Sequence, residues 1–391
     1  MPTRTWAEID LDHLTDNIRQ IRAATVPTAE VMAVVKADAY GHGAAEVSRI
    51  CLQNGATRLA VAMPDEAIAL RREGIDAPIL ILGFTDPRCI PEMLIDGITL
   101  TVYDLPFARL VSEEACRLGV TAKIHIKIDT GMGRIGYRPG PESVSEILQI
   151  VALQGIDAEG IFTHFATSDE PDNTYVDLQF ARFVEMIEAL QREGVYFRIR
   201  HACNSAALLR FPHMHLDMVR AGLILYGMWP KGCPQPHCPV DLKPVMTLKS
   251  SVVHRKRIFP GDSVSYGRRF RAEEERVIAT VPIGYADGYS RRLSGRAEML
   301  IRGQRVPVVG NICMDMCMVD VTEMETPPEL AEEVVVFGVE RIGRKTFSLP
   351  VDEISDALDT INYEIPCLIG KRVPRLYLSN GQKSHMKRSL W

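Results

Sequence analysis

The chain has 391 residues, 46% of them hydrophobic and 24% charged, with 28 glycines and 24 prolines. That profile excludes a disordered, collagen-like or disulfide-scaffold protein, and at about 100–200 residues per domain it implies two or three domains. A net charge of −5 is too mild to point to nucleic acid or an anionic membrane as partner, and no apolar run approaches the ~18 residues of a membrane span.

The N-terminus carries Glu8 and Asp10 where a signal peptide would place its apolar stretch, so the expected location is cytoplasmic. Nine cysteines are scattered at 51, 89, 116, 203, 233, 238, 313, 317 and 367. They fit a reducing compartment in which each thiol behaves as a small apolar residue.

From residue 30 to 226, short β-rich apolar runs alternate with helix-like stretches. The spacing predicts strands at 30–36, 58–62, 78–82, 98–102, 122–128, 159–163 and 197–201, and an eighth within 216–226. Segment 175–194 repeats Val176, Phe180, Phe183, Val184, Ile187 and Leu190 at helical spacing. Alternation of this kind makes a parallel sheet with helices outside it, and eight repeats predict an α/β fold with a (β/α)8 barrel over 1–228. A doubly wound open sheet is the alternative. Five prolines within 229–244 predict a linker. Beyond it, β-branched runs at 246–258, 276–282, 298–301, 305–309, 316–321 and 333–337 predict a mainly antiparallel β domain over 245–391. A last helix is expected at 351–358, and the basic tail 383–391 is expected to fray.

The richest stretch is Val-Met-Ala-Val-Val-Lys-Ala-Asp-Ala-Tyr-Gly-His-Gly at 31–43. A buried strand ends there at Lys36, followed by a Gly-rich turn, and barrels carry their functional groups at the C-terminal ends of strands. A lysine partly desolvated by the core favours its neutral amine, the form that makes a Schiff base with an aldehyde; position alone favours a lysine that snorkels out of the core. Tyr40, Gly41 and Gly43 add a hydroxyl and exposed amides suited to a phosphate ester.

Other candidates follow along the chain. Gly131, Gly133 and Gly136 spell G-x-G-x-x-G after a strand, but Pro139 and Pro141 keep a helix from opening at once, as a dinucleotide site requires. His164 ends a strand. Asn204 and Ser205 could cap a helix, meet a phosphate, or do both. Arg220 and Tyr266 could serve as an ion-pair residue and a packing residue. Cys233, His237 and Cys238, like His213 and His215, do not give four ligands at zinc spacing, so no metal is expected. Cys313 and Cys317, four apart in an apparent strand, read as core packing on a shared face.

The segment Val-Lys-Ala-Asp-Ala-Tyr-Gly-His-Gly at 35–43 resembles the pyridoxal-phosphate attachment motif of alanine racemases. The likeness runs from Trp-Ala-Glu-Ile-Asp at 6–10 to Gly-Lys-Arg-Val-Pro-Arg at 370–375. It implies a pyridoxal-phosphate barrel followed by a β domain, in a homodimer with shared active sites. It also implies interconversion of L-alanine and D-alanine by two bases, through an imine with the cofactor, supplying D-alanine for peptidoglycan. Lys36 would serve the D-antipode and Tyr266 the L-antipode, Tyr266 reaching into the other subunit's site. Arg134 would contact the cofactor's phenolic oxygen and the substrate carboxylate. Lys127 matches a lysine that can be carbamylated, a state the sequence leaves open. His164 would orient an arginine and the catalytic tyrosine, and Arg220 would face the pyridine nitrogen. Tyr40, Asn204, Ser205, Gly222, Leu223 and Tyr363 would hold the cofactor, chiefly its phosphate. Tyr285, the Met314 amide and Asp315 would form the substrate site, although Met316 and Cys317 depart from the family's usual residues. The rivals are a broad-specificity or serine racemase, a pyridoxal-phosphate carrier, which would need only the barrel, and a two-domain decarboxylase, whose Gly-Gly-Gly phosphate loop is missing.

Overall fold

The computed structural model describes residues 4–230, 232–233 and 240–387. His237, Cys238 and three of the linker prolines lie outside these. The chain forms two compact units: one holds Leu14–Ala39 and Gly43–Lys243, the other the residues up to His13, Tyr40–His42 and the chain from Pro244 onward.

The first unit is a ring of eight parallel strands. In spatial order they are Ile199–His201, Ile156–Phe162, Ala122–Lys127, Thr99–Val102, Ile79–Ile81, Arg58–Val61, Glu30–Val34 and Met218–Ala221. The ends of that series meet: Asp217 N donates to Arg200 O and Arg220 N to Cys203 O, both at 3.1 Å. A closed ring leaves no edge strand and excludes the doubly wound alternative. Its wall is mainly Val, Ile, Leu and Ala, buried on both faces as a helix-wrapped parallel sheet requires. The outer helix Thr174–Arg192 turns Val176, Phe183, Ile187 and Leu190 inward, and Gly194 at φ +82° follows its end. The strand expected at 30–36 stops at Val34, leaving Lys36 beyond the sheet, and the strand expected at 159–163 begins earlier, at Ile156.

The second unit is built on an 11-stranded, mainly antiparallel sheet. Two expectations are corrected here. The barrel was expected to take in the whole of 1–228, yet strand Thr5–Asp10 pairs antiparallel with Met246–Ser251 and parallel with Arg375–Ser379. It is buried along nearly its whole length, and its partners lie some 240 and 370 residues away, where local pattern cannot find them. The tail expected to fray includes strand Gln382–Lys387, paired with Arg375–Ser379. Asn380 and Gly381, at φ +52° and +68°, make the left-handed Asn-Gly turn that favours such a hairpin. Helix Val351–Leu358 appears as expected but is followed by Glu364–Leu368. Among the described residues, no helix is long and apolar enough to cross a membrane.

Candidate active site

Beyond strand Glu30–Val34 the chain makes an uncommon turn. Ala37, Asp38, Ala39 and Tyr40 lie at φ +53°, +51°, +55° and +54°, four consecutive non-glycine residues in the left-handed region. Such a conformation costs an L-residue about 1–2 kcal/mol and persists only where its surroundings over-determine it. Here Glu66 accepts from Ala37 N at 2.6 Å and from Ala62 N at 2.7 Å. Ala39 N donates to Val35 O at 2.9 Å, and Gly43 N to Asp38 O at 2.9 Å. The Asp38 carboxylate accepts Ala44 N at 2.8 Å, anchoring the next helix. The expected Gly-rich turn is therefore mostly built without glycine. Gly41 has a separate reason: a Cβ there would come within 2.2 Å of the Pro366 carbonyl oxygen.

The other barrel candidates gather at the ends of neighbouring strands. The half-buried His164 imidazole is pushed well below its usual pKa, first by loss of hydration and then by the charges of Arg220, Arg134, Lys127 and Lys36. Lys127 is buried and donates to Ile128 O at 2.7 Å. Burial, then Arg220, lowers its ammonium to about 7. Arg220 is buried too, and burial lowers it to about 10, so it stays cationic at neutral pH. Its Nη2 donates to Thr163 O at 2.9 Å and Ala202 O at 2.8 Å and lies 3.2 Å from His164 Nδ1; its Nη1 donates to His201 Nδ1 at 2.8 Å.

Arg134 is exposed in the glycine loop. The loop's amides are already spent, because Asp129 accepts from Gly131 N and Gly133 N at 3.0 Å and from Arg134 N at 3.1 Å. A dinucleotide pyrophosphate would have to displace that carboxylate. Asn204 caps helix Ser205–Arg210 by accepting Ala207 N at 3.0 Å. Ser205 Oγ accepts from Gly222 N at 3.0 Å, and the buried Leu223 opens the turn that follows. His201 was missed as a functional candidate, though a histidine ending a barrel strand is the same signal that marked His164.

In the second unit, Tyr266 is 70% exposed and follows Ser265 at φ +67°. That turn is pinned to one residue: Ser265 Oγ donates to Asn311 O at 2.5 Å, and Asn311 Nδ2 donates to Tyr266 O at 2.6 Å. Asn311 leads into Cys313 and Met314, whose carbonyls accept from Tyr285 N and Ala286 N at 3.1 Å. The structure thus brings Tyr266, Tyr285 and Met314 together. Asp315 accepts from Arg372 Nη2 at 2.5 Å. Arg372 also bonds Asp287, a buried carboxylate that takes both Arg4 Nη atoms and Gly284 N. Tyr40 is half-buried near Tyr363 and Cys367, and loss of hydration raises its hydroxyl pKa well above the usual value. The Cys313–Cys317 expectation holds only for Cys317, which is buried in strand Cys317–Asp320; Cys313 lies in the preceding loop. No cluster of His, Cys, Asp or Glu among the described residues could hold a metal.

Comparison with known proteins follows the same two-part plan. The family model for the N-terminal domain of alanine racemase matches residues 9–230, and that for its C-terminal domain matches 245–377. The alanine racemase of Clostridium tetani is 48% identical over 377 residues, 96% of each chain. Among solved structures, alanine racemase from Clostridium difficile 630 superposes with a TM-score of 0.94 at 41% identity, covering 99% of both chains. Alanine racemase from Bacillus anthracis with bound L-Ala-P gives 0.93 at 39% identity, covering 100% of this chain and 99% of that one. With sequence, barrel and β sheet agreeing over nearly their whole length, the chain belongs to the alanine racemase family.

Proposed function

We propose that this chain is a pyridoxal-phosphate-dependent racemase that interconverts L- and D-alanine as a cytoplasmic homodimer, supplying D-alanine for peptidoglycan. The observation that carries the reading is the gathering of Lys36, Lys127, Arg134 and Arg220 about the His164 imidazole. It offers an amine and several cations to a group bearing an aldehyde, a phosphate and a phenolic oxygen. The donor set fits that group at a second point. Of the five N–H groups of an arginine, buried Arg220 gives three to His201, Thr163 and Ala202. Its Nε–H and one Nη1–H have no acceptor among the described residues and suit a ring nitrogen.

When bound, pyridoxal phosphate would supply an electron sink for the pair left on Cα. The chain's own residues do the rest. Lys36 removes or returns the Cα proton on the face of the D-antipode, and Tyr266 does so on the L face, since inversion needs acid and base groups on opposite sides. Arg134 pairs with the substrate carboxylate and the phenolic oxygen. Tyr285 and the Met314 amide meet the substrate, and Asp315 supports them through Arg372. Tyr40, Asn204, Ser205, Gly222, Leu223 and Tyr363 hold the cofactor, and His164 orients Arg220. Because Arg220 keeps its proton, it offers the pyridine nitrogen a hydrogen bond and not a proton. That limits delocalisation and protonation at the wrong carbon. A Lys127 amine lowered to about 7 has the neutral fraction that adds carbon dioxide, giving a carbamate that would orient Arg134.

The dimer has its own support. Tyr266, Met314, Met316 and Tyr285 are 70%, 52%, 46% and 43% exposed. An apolar cluster of that kind marks a surface that a partner covers, here a second copy receiving Tyr266. The deciding experiment incubates purified chain and pyridoxal phosphate with D-alanine. Formation of L-alanine supports the reading, ethylamine indicates the decarboxylase, and bound cofactor without turnover indicates the carrier. L-Serine run in parallel tests the broader racemase.

A further inference from the structure

A line of buried polar side chains runs through the barrel behind Arg220, and none of them has a part in the chemistry above. Arg220 Nη1 lies 2.8 Å from His201 Nδ1, His201 Nε2 lies 2.8 Å from His125 Nδ1, and His125 Nε2 lies 3.4 Å from Glu159 Oε1. Arginine can only donate, so His201 Nδ1 accepts and its hydrogen sits on Nε2. That hydrogen faces His125 Nδ1, which must accept in turn, leaving the His125 hydrogen on Nε2 toward a carboxylate that can only accept. The two ends therefore permit one direction throughout. Phe162 stacks on the His201 ring at 4.7 Å and 3°, fixing its plane.

We propose that Glu159, acting through His125 and His201, is a remote positioning residue that sets both imidazole tautomers and so the orientation of Arg220. Two features of the wall are shaped for it. Strand Ile156–Phe162 pairs with Ala122–Lys127 through Ala158 opposite Ile124 and then Gly160 opposite His125. Glu159 is the unpaired extra residue of that bulge, the device that re-aims a side chain out of strict alternation. The next residue is Gly160, where a Cβ would stand 2.6 Å from the His125 ring. This glycine has no positive φ and serves to make room for the imidazole. Glu159, His125 and His201 are all almost completely buried. Arg58 Nη1, 3.1 Å from Glu159 Oε1, anchors the far end.

The relay carries orientation, not protons. Burial works to raise the Glu159 carboxyl, but the His125 hydrogen bond and Arg58 outweigh it and hold it at about 2, while Arg220 is at about 10. The proton therefore stays on Arg220. Burial lowers both imidazoles, so they stay neutral at neutral pH.

The catalytic consequence rests on the racemase reading; the tautomers do not. The test labels histidine with 15N in the full-length protein, loaded with pyridoxal phosphate, and assigns the two rings with His125→Gln and His201→Gln. The wild type is expected to show both as neutral Nε2–H tautomers. Gln at 159 can donate as well as accept, which permits the reverse direction that turns His201 Nδ1–H against Arg220, so Glu159→Gln is expected to shift at least one ring toward Nδ1–H. It should also lower kcat about tenfold, the low end of what losing the partner behind a functional imidazole costs, and raise the ratio of pyruvate formed to alanine racemised. An Nδ1–H tautomer at either ring of the wild type overturns the proposal, and that measurement stands even if Glu159→Gln does not fold. Unchanged tautomers, or an unchanged pyruvate ratio, in folded Glu159→Gln overturn it as well. Wild-type protein that fails to racemise alanine would instead overturn the proposed function.

Discussion

Gly41→Ala separates two reasons for a glycine that usually come mixed. Gly41 sits at φ +81°, and its added Cβ would meet Pro366 O at 2.2 Å. Gly74 sits at nearly the same φ, +77°, with nothing within 4 Å of its added Cβ, so Gly74→Ala carries the backbone term alone. An alanine in the left-handed region costs about 1–2 kcal/mol, and the loss of glycine's freedom in the unfolded chain returns about 0.4–1 kcal/mol. Gly74→Ala should therefore cost about 1 kcal/mol or slightly less. At Gly41 the neighbour is backbone and must itself move, which adds the about 1–3 kcal/mol typical of overpacking. That brings the expected loss to about 2–4 kcal/mol. The assay is denaturant unfolding at one protein and one cofactor concentration, because binding and association both shift apparent stability. Gly41→Ala should also weaken pyridoxal-phosphate binding, since it displaces the turn that carries Tyr40. Equal losses for the two variants, within about 0.5 kcal/mol, would refute the steric argument.

Three further outcomes are expected. Borohydride reduction of the holoenzyme followed by peptide mapping should place the cofactor on Lys36; a label on Lys127 or Lys123 would show that the anchor is misassigned. Mixing inactive Lys36→Ala and Tyr266→Phe protomers should restore part of the activity, because one composite site of the mixed dimer is intact. No recovery despite demonstrated subunit exchange would remove the shared-site arrangement. Arg220→Glu should slow racemisation and raise the ratio of pyruvate formed to alanine racemised in folded, cofactor-loaded protein. If the variant loses stability and cofactor at an unchanged ratio, Arg220 is scaffold.

What could be read from sequence was what is written contiguously. The apolar runs announced eight barrel strands because a parallel strand buried on both faces needs no alternation, only a short run of Val, Ile and Leu. Lys36 was legible because its strand, turn and glycines lie within thirteen residues. Relations between distant segments were not legible. Strand Thr5–Asp10 looks like any apolar run until Met246–Ser251 and Arg375–Ser379 flank it. Glu159 reads as the polar first residue of a strand, because a bulge is a property of two strands in register. Asp287 gains its meaning only from Arg4 and Arg372, 283 and 85 residues away. The left-handed turn after Lys36 was hidden for another reason: Ala and Tyr carry no intrinsic preference for positive φ and Asp visits it only as a single residue, while Glu66 and Asp38 hold the whole turn there.

The central claim is that two different groups handle the Cα proton on opposite faces, and solvent deuterium tests it most directly. L-Alanine is incubated with the holoenzyme in deuterated water, and the reaction is stopped after a few per cent conversion. Each enantiomer is then separated and its Cα isotope read by mass spectrometry. If Tyr266 takes the Cα proton from the L face and holds it as its single O–H, while Lys36 delivers a solvent-derived deuteron to the other face, the D-alanine formed carries deuterium while the recovered L-alanine keeps protium. D-Alanine that retains the original protium would mean one group carries the same proton across both faces, and the two-base account would be wrong.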